Sequence, residues 1–232
     1  MQAALECQAP PQAIMEWVDL RPSGVPQPFR GWTEQLKPGI NVLLDEAGND
    51  ASPWLALLTG YAAPGSGHVH CCGLNSHPHC GTYQAQVYWH NPRLDLQDRE
   101  ITAQRWLQAT AQRWPQWHDA AWQAHCEGFQ LAPHLGKPLC HLSTGTLRKL
   151  GIAAALASGA RLTVIEEPVA GLDAESIRYL SQALDVLGED LASSPEEPRW
   201  IIVAHWEPLS GVTWDEVLVP PRQNRSVAVH VE

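Results

Sequence analysis

An α/β fold with a mixed sheet core, a small antiparallel β edge and a helical insert is what the sequence predicts, on three observations. Apolar runs of strand length stand at 39–44 (GINVLL), 162–166 (LTVIE) and 201–204 (IIVA), unbroken by polar alternation. Strands buried on both faces of a parallel sheet read this way. Segments of helical periodicity lie between them, and strands alternating with helices argue for α/β. The chain has 232 residues, 44% of them hydrophobic, which suits one domain with a real core.

The elements follow in order. The whole span 1–232 reads as one domain, with 13–94 and 140–219 supplying core and β edge and 95–138 the helical insert; residues 1–12 and the end after Pro220 read as tails. The antiparallel edge is expected near 13–35 and 66–90. After the strand 39–44, Ser52-Pro53 opens a short helix through Leu58, with Ser as cap, Pro at the first position and Gly60 as the stop. Residues 98–114 place Ala103, Trp106, Leu107, Thr110, Ala111 and Trp114 on one face and end at Pro115, and 116–126 continue with Trp117, Ala121 and Ala124 and end before Gly128. A helix over 143–158 is entered from a Ser-Thr-Gly turn, and another spans 174–187. Eleven tryptophans against two phenylalanines read as aromatic core packing, because a buried indole fills volume and needs one partner for its N–H. Trp54 and Trp89 stand apart, being next to the motifs below.

Charge excludes whole classes of function. With 15 Lys+Arg against 25 Asp+Glu, a net charge of −10 and only Lys37, Lys137 and Lys149 as lysines, no basic run could neutralise a row of phosphates. Nucleic acid and an anionic lipid surface are therefore not expected partners. No stretch approaches the roughly 18 apolar residues of a spanning helix, and MQAALECQAPPQ lacks a signal peptide's basic flank and apolar core. A cytoplasmic protein is expected, its six dispersed cysteines free thiols or metal ligands rather than a disulfide framework.

Residues 142–173, LSTGTLRKLGIAAALASGARLTVIEEPVAGLD, carry the most chemistry. In order they give a Ser-led helix start suited to an anion, a helix, a turn at Gly159, a buried strand, two carboxylates at its C-terminal end, and a Gly-Leu-Asp turn. The C-terminal ends of such strands are where α/β proteins do chemistry. This order resembles the ATP-binding cassette (ABC) family, whose signature LSGGQ is followed by a helix, a Walker B strand ending in Asp-Glu, a Pro and a D-loop. Leu142, Ser143 and Gly145 fit the signature, with Thr144 and Thr146 replacing a glycine and the glutamine. Glu167 fits the catalytic glutamate, Glu166 stands where the family has its Mg²⁺-orienting aspartate, Gly171-Leu172-Asp173 fit the D-loop, and His205 fits the switch histidine. The resemblance runs from about Trp17 to Val219 and implies an ABC ATPase-like P-loop fold with ATP and Mg²⁺ as cofactors.

Other positions depart from that pattern. Against Walker A, GxxxxGK(S/T), the loop Asp45–Pro53 has Asp45 and Asp50 for the two glycines and Ala51 for the lysine, so that only Gly48 and Ser52 remain. Carboxylates then stand where a triphosphate would lie, and like charges in a partly desolvated site cost several kcal/mol by a rough Coulomb count. Hydrolysis by the chain alone is expected to be weak or absent. At the Q-loop glutamine position stands His90, and the adenine-stacking aromatic has only Phe29 or Trp32 as candidates. In the family's head-to-tail dimer, Ser143 and Gly145 would serve a partner's ATP, whereas Glu167 and His205 would serve the chain's own.

The resemblance implies a homo- or heterodimer with another ABC ATPase subunit. It also implies a membrane permease engaged through the insert and the Q-loop region, which would hold the chain peripherally at the inner face of the membrane. The alternative is a non-catalytic interaction or regulatory protein retaining the cassette fold. A serine hydrolase is excluded by the lack of a GxSxG elbow. Residues 68–80, HVHCCGLNSHPHC, hold His68, His70, Cys71, Cys72, His77, His79 and Cys80. A turn at Gly73-Leu74-Asn75 could gather four of them around Zn²⁺. The spacing matches no standard zinc signature, so the expectation is an exposed strand with a polar turn and no zinc.

Overall fold

The computed structural model describes residues 14–24, 30–45, 51–71, 73–76, 81–92 and 98–221. The chain opens with β1 (Met15–Pro22), β2 (Trp32–Leu36), β3 (Gly39–Leu44), α1 (Ala51–Leu58), β4 (Pro64–Cys71) and β5 (Leu74–Asn75). It continues with α2 (Gly81–Gln84), β6 (Val87–His90), α3 (Ala103–Arg113) and α4 (Asp119–Gly128). It closes with α5 (Thr144–Ala157), β7 (Leu162–Glu166), α6 (Ala174–Ser193), β8 (Trp200–His205) and β9 (Glu216–Leu218). Among the described residues, none of the helices is long and apolar enough to cross a membrane.

Two sheets form. The first, β2-β1-β4-β5, is antiparallel throughout; the second runs β6-β7-β8-β3-β9. The core sheet, expected to be mixed, is parallel at every described pairing. Residues 87–90, expected in the antiparallel edge, pair instead with β7, Val87 opposite Leu162 and His90 opposite Ile165. Four residues are too short for their alternation to reveal which sheet completes their hydrogen bonds.

The uninterrupted apolar strands are explained by burial on both faces. Leu43, Val164 and Ile202 pack with the antiparallel sheet and α1, whereas Ile40, Ile165, Ile201 and Val203 pack with α5, α6 and the insert. Each such side chain contributes roughly 1.5–3 kcal/mol on full burial, so neither face could turn polar without opening a core. On α5, Ala153, Ala154, Ala155 and Ala157 are fully buried, and these small side chains let the helix lie close on the sheet. Trp17 and Trp200 fill the core as expected, both 0% exposed, and Trp54, set apart from that expectation, is buried with them at 0%; Trp200 Nε1 donates to the Leu36 carbonyl over 2.9 Å. Trp206, at 60% exposed, departs from that rule.

Helix boundaries moved where caps decide them. Thr102 accepts from the Arg105 amide at 3.3 Å, so the helix expected from residue 98 begins at Ala103. The next helix runs through Gly128, and α6 continues to Ser193, beyond the expected end at 187. Ser52 is not a cap: it lies inside α1, which starts at Ala51, and its hydroxyl is engaged by a carboxylate described below.

Candidate active site

Parallel register brings the strand ends level. Leu44 lies opposite His205 and Glu166 opposite Ala204, so Asp45, Glu166, Glu167 and His205 leave the sheet at one edge. The Asp45 amide donates to the His205 carbonyl at 2.9 Å, and the Glu167 amide to the Ala204 carbonyl at 3.0 Å. These four residues, with Val169, Ala170, Ala204 and the exposed Trp206, bound a cavity of about 200 Å³. No Lys or Arg is among the described residues lining it. Asp45, Glu166 and His205 are buried, at 9%, 2% and 6% exposed.

Each side chain is held in a definite way. Ser52 Oγ donates to Glu166 Oε1, which ties the first turn of α1 to the end of β7. His205 Nδ1 donates to the Glu207 carbonyl at 2.8 Å, which anchors the ring. Glu167 has φ +48°, in the left-handed region, at a cost of about 1–2 kcal/mol for a residue with a Cβ. Strain of this kind collects at functional sites.

The remaining predicted residues form a second group. Ser143 caps α5, accepting from the Thr146 amide at 3.1 Å and lying 2.8 Å from Thr146 Oγ1. Gly145 leaves room for the chain itself, since a Cβ there would run into the Gly171 carbonyl oxygen. Asp173 caps α6 through the Ser176 amide at 2.8 Å and accepts from Lys149 Nζ at 2.7 Å. Lys149 and Ser176 hold its carboxyl well below the usual carboxylate range. The start of α5 at Ser143–Gly145 and the turn at Gly171-Leu172-Asp173 are thus one packed unit.

His90 belongs to neither group. It lines a groove of about 650 Å³ between α3, α5 and the end of β6, where burial and then the nearby Arg148 push its pKa down to about 4. Trp32 cannot stack on an adenine: it is 4% exposed, edge-on to Trp17 and Trp54 at ring distances of 4.8 and 5.3 Å. Gly48 and Phe29 lie outside the described residues, as do Cys72, His77, His79 and Cys80. Of the remaining candidate zinc ligands, Cys71 packs in the core and His70 Nδ1 lies 3.8 Å from Glu16 Oε1. Among the described residues no group of three His, Cys, Asp or Glu could hold a metal ion.

Three residues escaped sequence reasoning. Arg148, 8% exposed, lies beneath the groove; beside Lys149 in the polar first half of α5, it reads from sequence as an ordinary surface charge. Gly151 is required because a Cβ there would overlap the His90 ring, a contact with no sequence signature. Trp206 sits beside His205, ring centres 5.2 Å apart.

No protein-family model and no curated protein sequence matches the chain. Solved structures do. A Pyrococcus furiosus protein described as an ABC transporter ATP-binding protein superimposes with TM-score 0.69 at 19% identity, over 90% of this chain and 98% of that one. An ATP-binding subunit of an ABC transporter gives TM-score 0.66 at 21% identity, covering 82% of this chain and 78% of its own. The cbiO1 protein of Clostridium perfringens, part of the ABC transporter complex cbiONQ, gives 0.65 at 16% identity, over 90% and 85% of the two chains. The parallel sheet with its separate antiparallel sheet, and this agreement over nearly the whole chain, give the protein the P-loop fold of ABC transporter ATP-binding subunits.

Proposed function

We propose that the chain is an ATP-binding-type subunit of an ABC transporter-like assembly, degenerate in its own phosphate loop and weak or inactive in hydrolysis by itself. The observation that carries this reading is the bond between Ser52 and Glu166, with Glu167 and His205 on the same small cavity. That is the pairing expected of a Walker A serine and a Walker B carboxylate.

The residues fit the two cofactor components unequally. Ser52 Oγ and the Glu166 carboxylate are oxygen ligands of the kind Mg²⁺ prefers, and such an ion takes its other ligands from phosphate and water. The triphosphate fits poorly. Asp45, Glu166 and Glu167 share a cavity whose described lining holds no cation, and Ala51, at the lysine position, is tucked into the core at 1% exposure. When bound, Mg-ATP supplies the phosphoryl group to be transferred. On this reading Glu167, whose amide donates to the Ala204 carbonyl, would orient the attacking water, with His205 beside it on the same cavity.

Dimerisation with a second ABC ATPase subunit follows from the Ser143–Gly145 helix start, which would complete a partner's site. A permease at the inner face of a membrane is the proposed membrane partner, met through the insert and the groove at His90. The cbiO1 protein's place in a transporter complex supports that reading. The buried Ala51 favours a second reading, a non-catalytic regulatory protein of the same fold.

Titration of the purified chain with Mg-ATP, followed by phosphate release, tests the proposal. Weak binding with turnover near background is expected. Strong turnover abolished by Glu167→Gln would refute the degenerate-loop reading. Co-expression with an ATPase subunit of intact Walker A and its permease should yield a complex whose activity is lost on Ser143→Arg. Absence of any complex would leave the regulatory reading.

A further inference from the structure

The groove between α3, α5 and the end of β6, about 650 Å³ in volume, has the size and make-up of a small-molecule site. Such sites run to roughly 300–1,000 Å³ and set a few fixed polar groups into apolar and aromatic walls. Here the aromatic wall includes Trp106 and Trp114, the latter with its ring centre 5.3 Å from that of Tyr88. The charged groups are all of one sign. The chain carries 25 Asp+Glu against 15 Lys+Arg, yet the described lining has Arg99, Arg113 and Arg148 and no Asp or Glu.

Three lining residues also hold buried nitrogens with no hydrogen-bond partner among the described residues: Arg148 Nε, His90 Nε2 and Trp89 Nε1. Native proteins pair nearly all such atoms, and an exception points to a missing water, ion or ligand. Arg148 is 8% exposed; burial pushes its pKa down and the charge of Glu167 pulls it up. The guanidinium is therefore a cation in a place short of water. His90 is neutral, its pKa pushed down to about 4 by burial and then by Arg148. With its proton on Nε2 it donates without adding charge, as the Trp89 indole does. An anionic oxygen suits all three, and a guanidinium can hold a carboxylate through two parallel N–H bonds. A cationic ligand would instead meet like charges, and an uncharged hydrocarbon would leave the nitrogens unmatched.

We infer that this groove binds a small aromatic carboxylate, its ring system against Trp106 and Trp114 and its carboxylate directed at Arg148 and Arg113. The inference goes beyond the transporter reading and does not need it, although a ligand here would compete with the permease for the same face.

Calorimetric titration of the full chain with four probes tests this: 2-naphthoate, its uncharged amide 2-naphthamide, the cationic 2-naphthylmethylamine, and acetate, an anion without the ring. 2-Naphthoate should bind about tenfold or more tightly than each of the others, and its affinity should fall with added salt. Arg148→Lys should weaken it by about tenfold. Arg113→Gln, at an exposed helix end, should weaken it without touching the core. In NMR spectra of the chain labelled at its indole nitrogens, 2-naphthoate should shift the Trp106 and Trp114 signals, assigned through Trp106→Phe and Trp114→Phe, and leave the core residue Trp200 in place. If Arg148→Lys fails to fold, the Arg113→Gln affinity and the indole shifts decide. No binding of 2-naphthoate at millimolar concentration, equal binding of the amide or of acetate, an affinity unchanged by Arg113→Gln, or shifts confined to Trp206 beside the carboxylate cavity would overturn the inference. None of these outcomes bears on whether a permease complex forms, so failure of the transporter reading is scored separately.

Discussion

Gly151 stands in the middle of α5 with the imidazole of His90 where its β-carbon would be. Glycine inside a helix is worth about 1 kcal/mol less than alanine, so Gly151→Ala should stabilise an isolated helix by that amount. In the folded chain the added methyl must displace a buried ring, and overpacking of this kind costs about 1–3 kcal/mol. The net expectation is a loss of up to about 2 kcal/mol. In a His90→Ala background the obstruction is gone, the methyl enters vacated space, and the same substitution should stabilise by about 1 kcal/mol. The double-mutant coupling is then about 1–3 kcal/mol, the size found between residues in contact. Thermal and urea unfolding of the four proteins would show it, each kcal/mol moving Tm by about 2–4 °C at this chain length. An equal rise in Tm from Gly151→Ala in both backgrounds would refute the packing argument, and with it the account of how the floor of the groove is built.

Further outcomes follow from the site. Ser52→Ala removes the hydroxyl from the buried Glu166 carboxylate and should lower urea-unfolding stability by about 1–3 kcal/mol; Ser52→Thr should retain most of it. Glu167→Gly releases the left-handed strain at φ +48° but also removes the carboxylate whose charge favours Arg148 and adds unfolded-state entropy, so Tm should change by no more than an amount matching about 1 kcal/mol while any nucleotide turnover is lost, which separates activity from stability in one variant. His90 has a folded pKa of about 4, below the unfolded value of about 6.5, so the unfolded chain binds more protons between those values. Its contribution should therefore be present above about pH 6.5 and decline on acidification toward pH 4, by up to about 1.4 kcal/mol per pH unit. Urea unfolding at pH 7, 6 and 5 should show a shallower decline for His90→Gln.

The strands 39–44 and 162–166 were legible to the residue because burial on both faces leaves an apolar run with no alternation, and that pattern belongs to the residues themselves. So were the cap at Ser143 and the carboxylate pair at the end of β7, since a cap and a strand end are local events. The tertiary structure alone decided which sheet took Val87–His90, because strand pairing is chosen among distant segments. It alone showed Ser52 turned from capping toward Glu166, 114 positions away in sequence. The groove was invisible for the same reason. Arg113, Arg148 and His90 are separated along the chain, and only the packing of α3 and α5 against the end of β6 brings them around one trough.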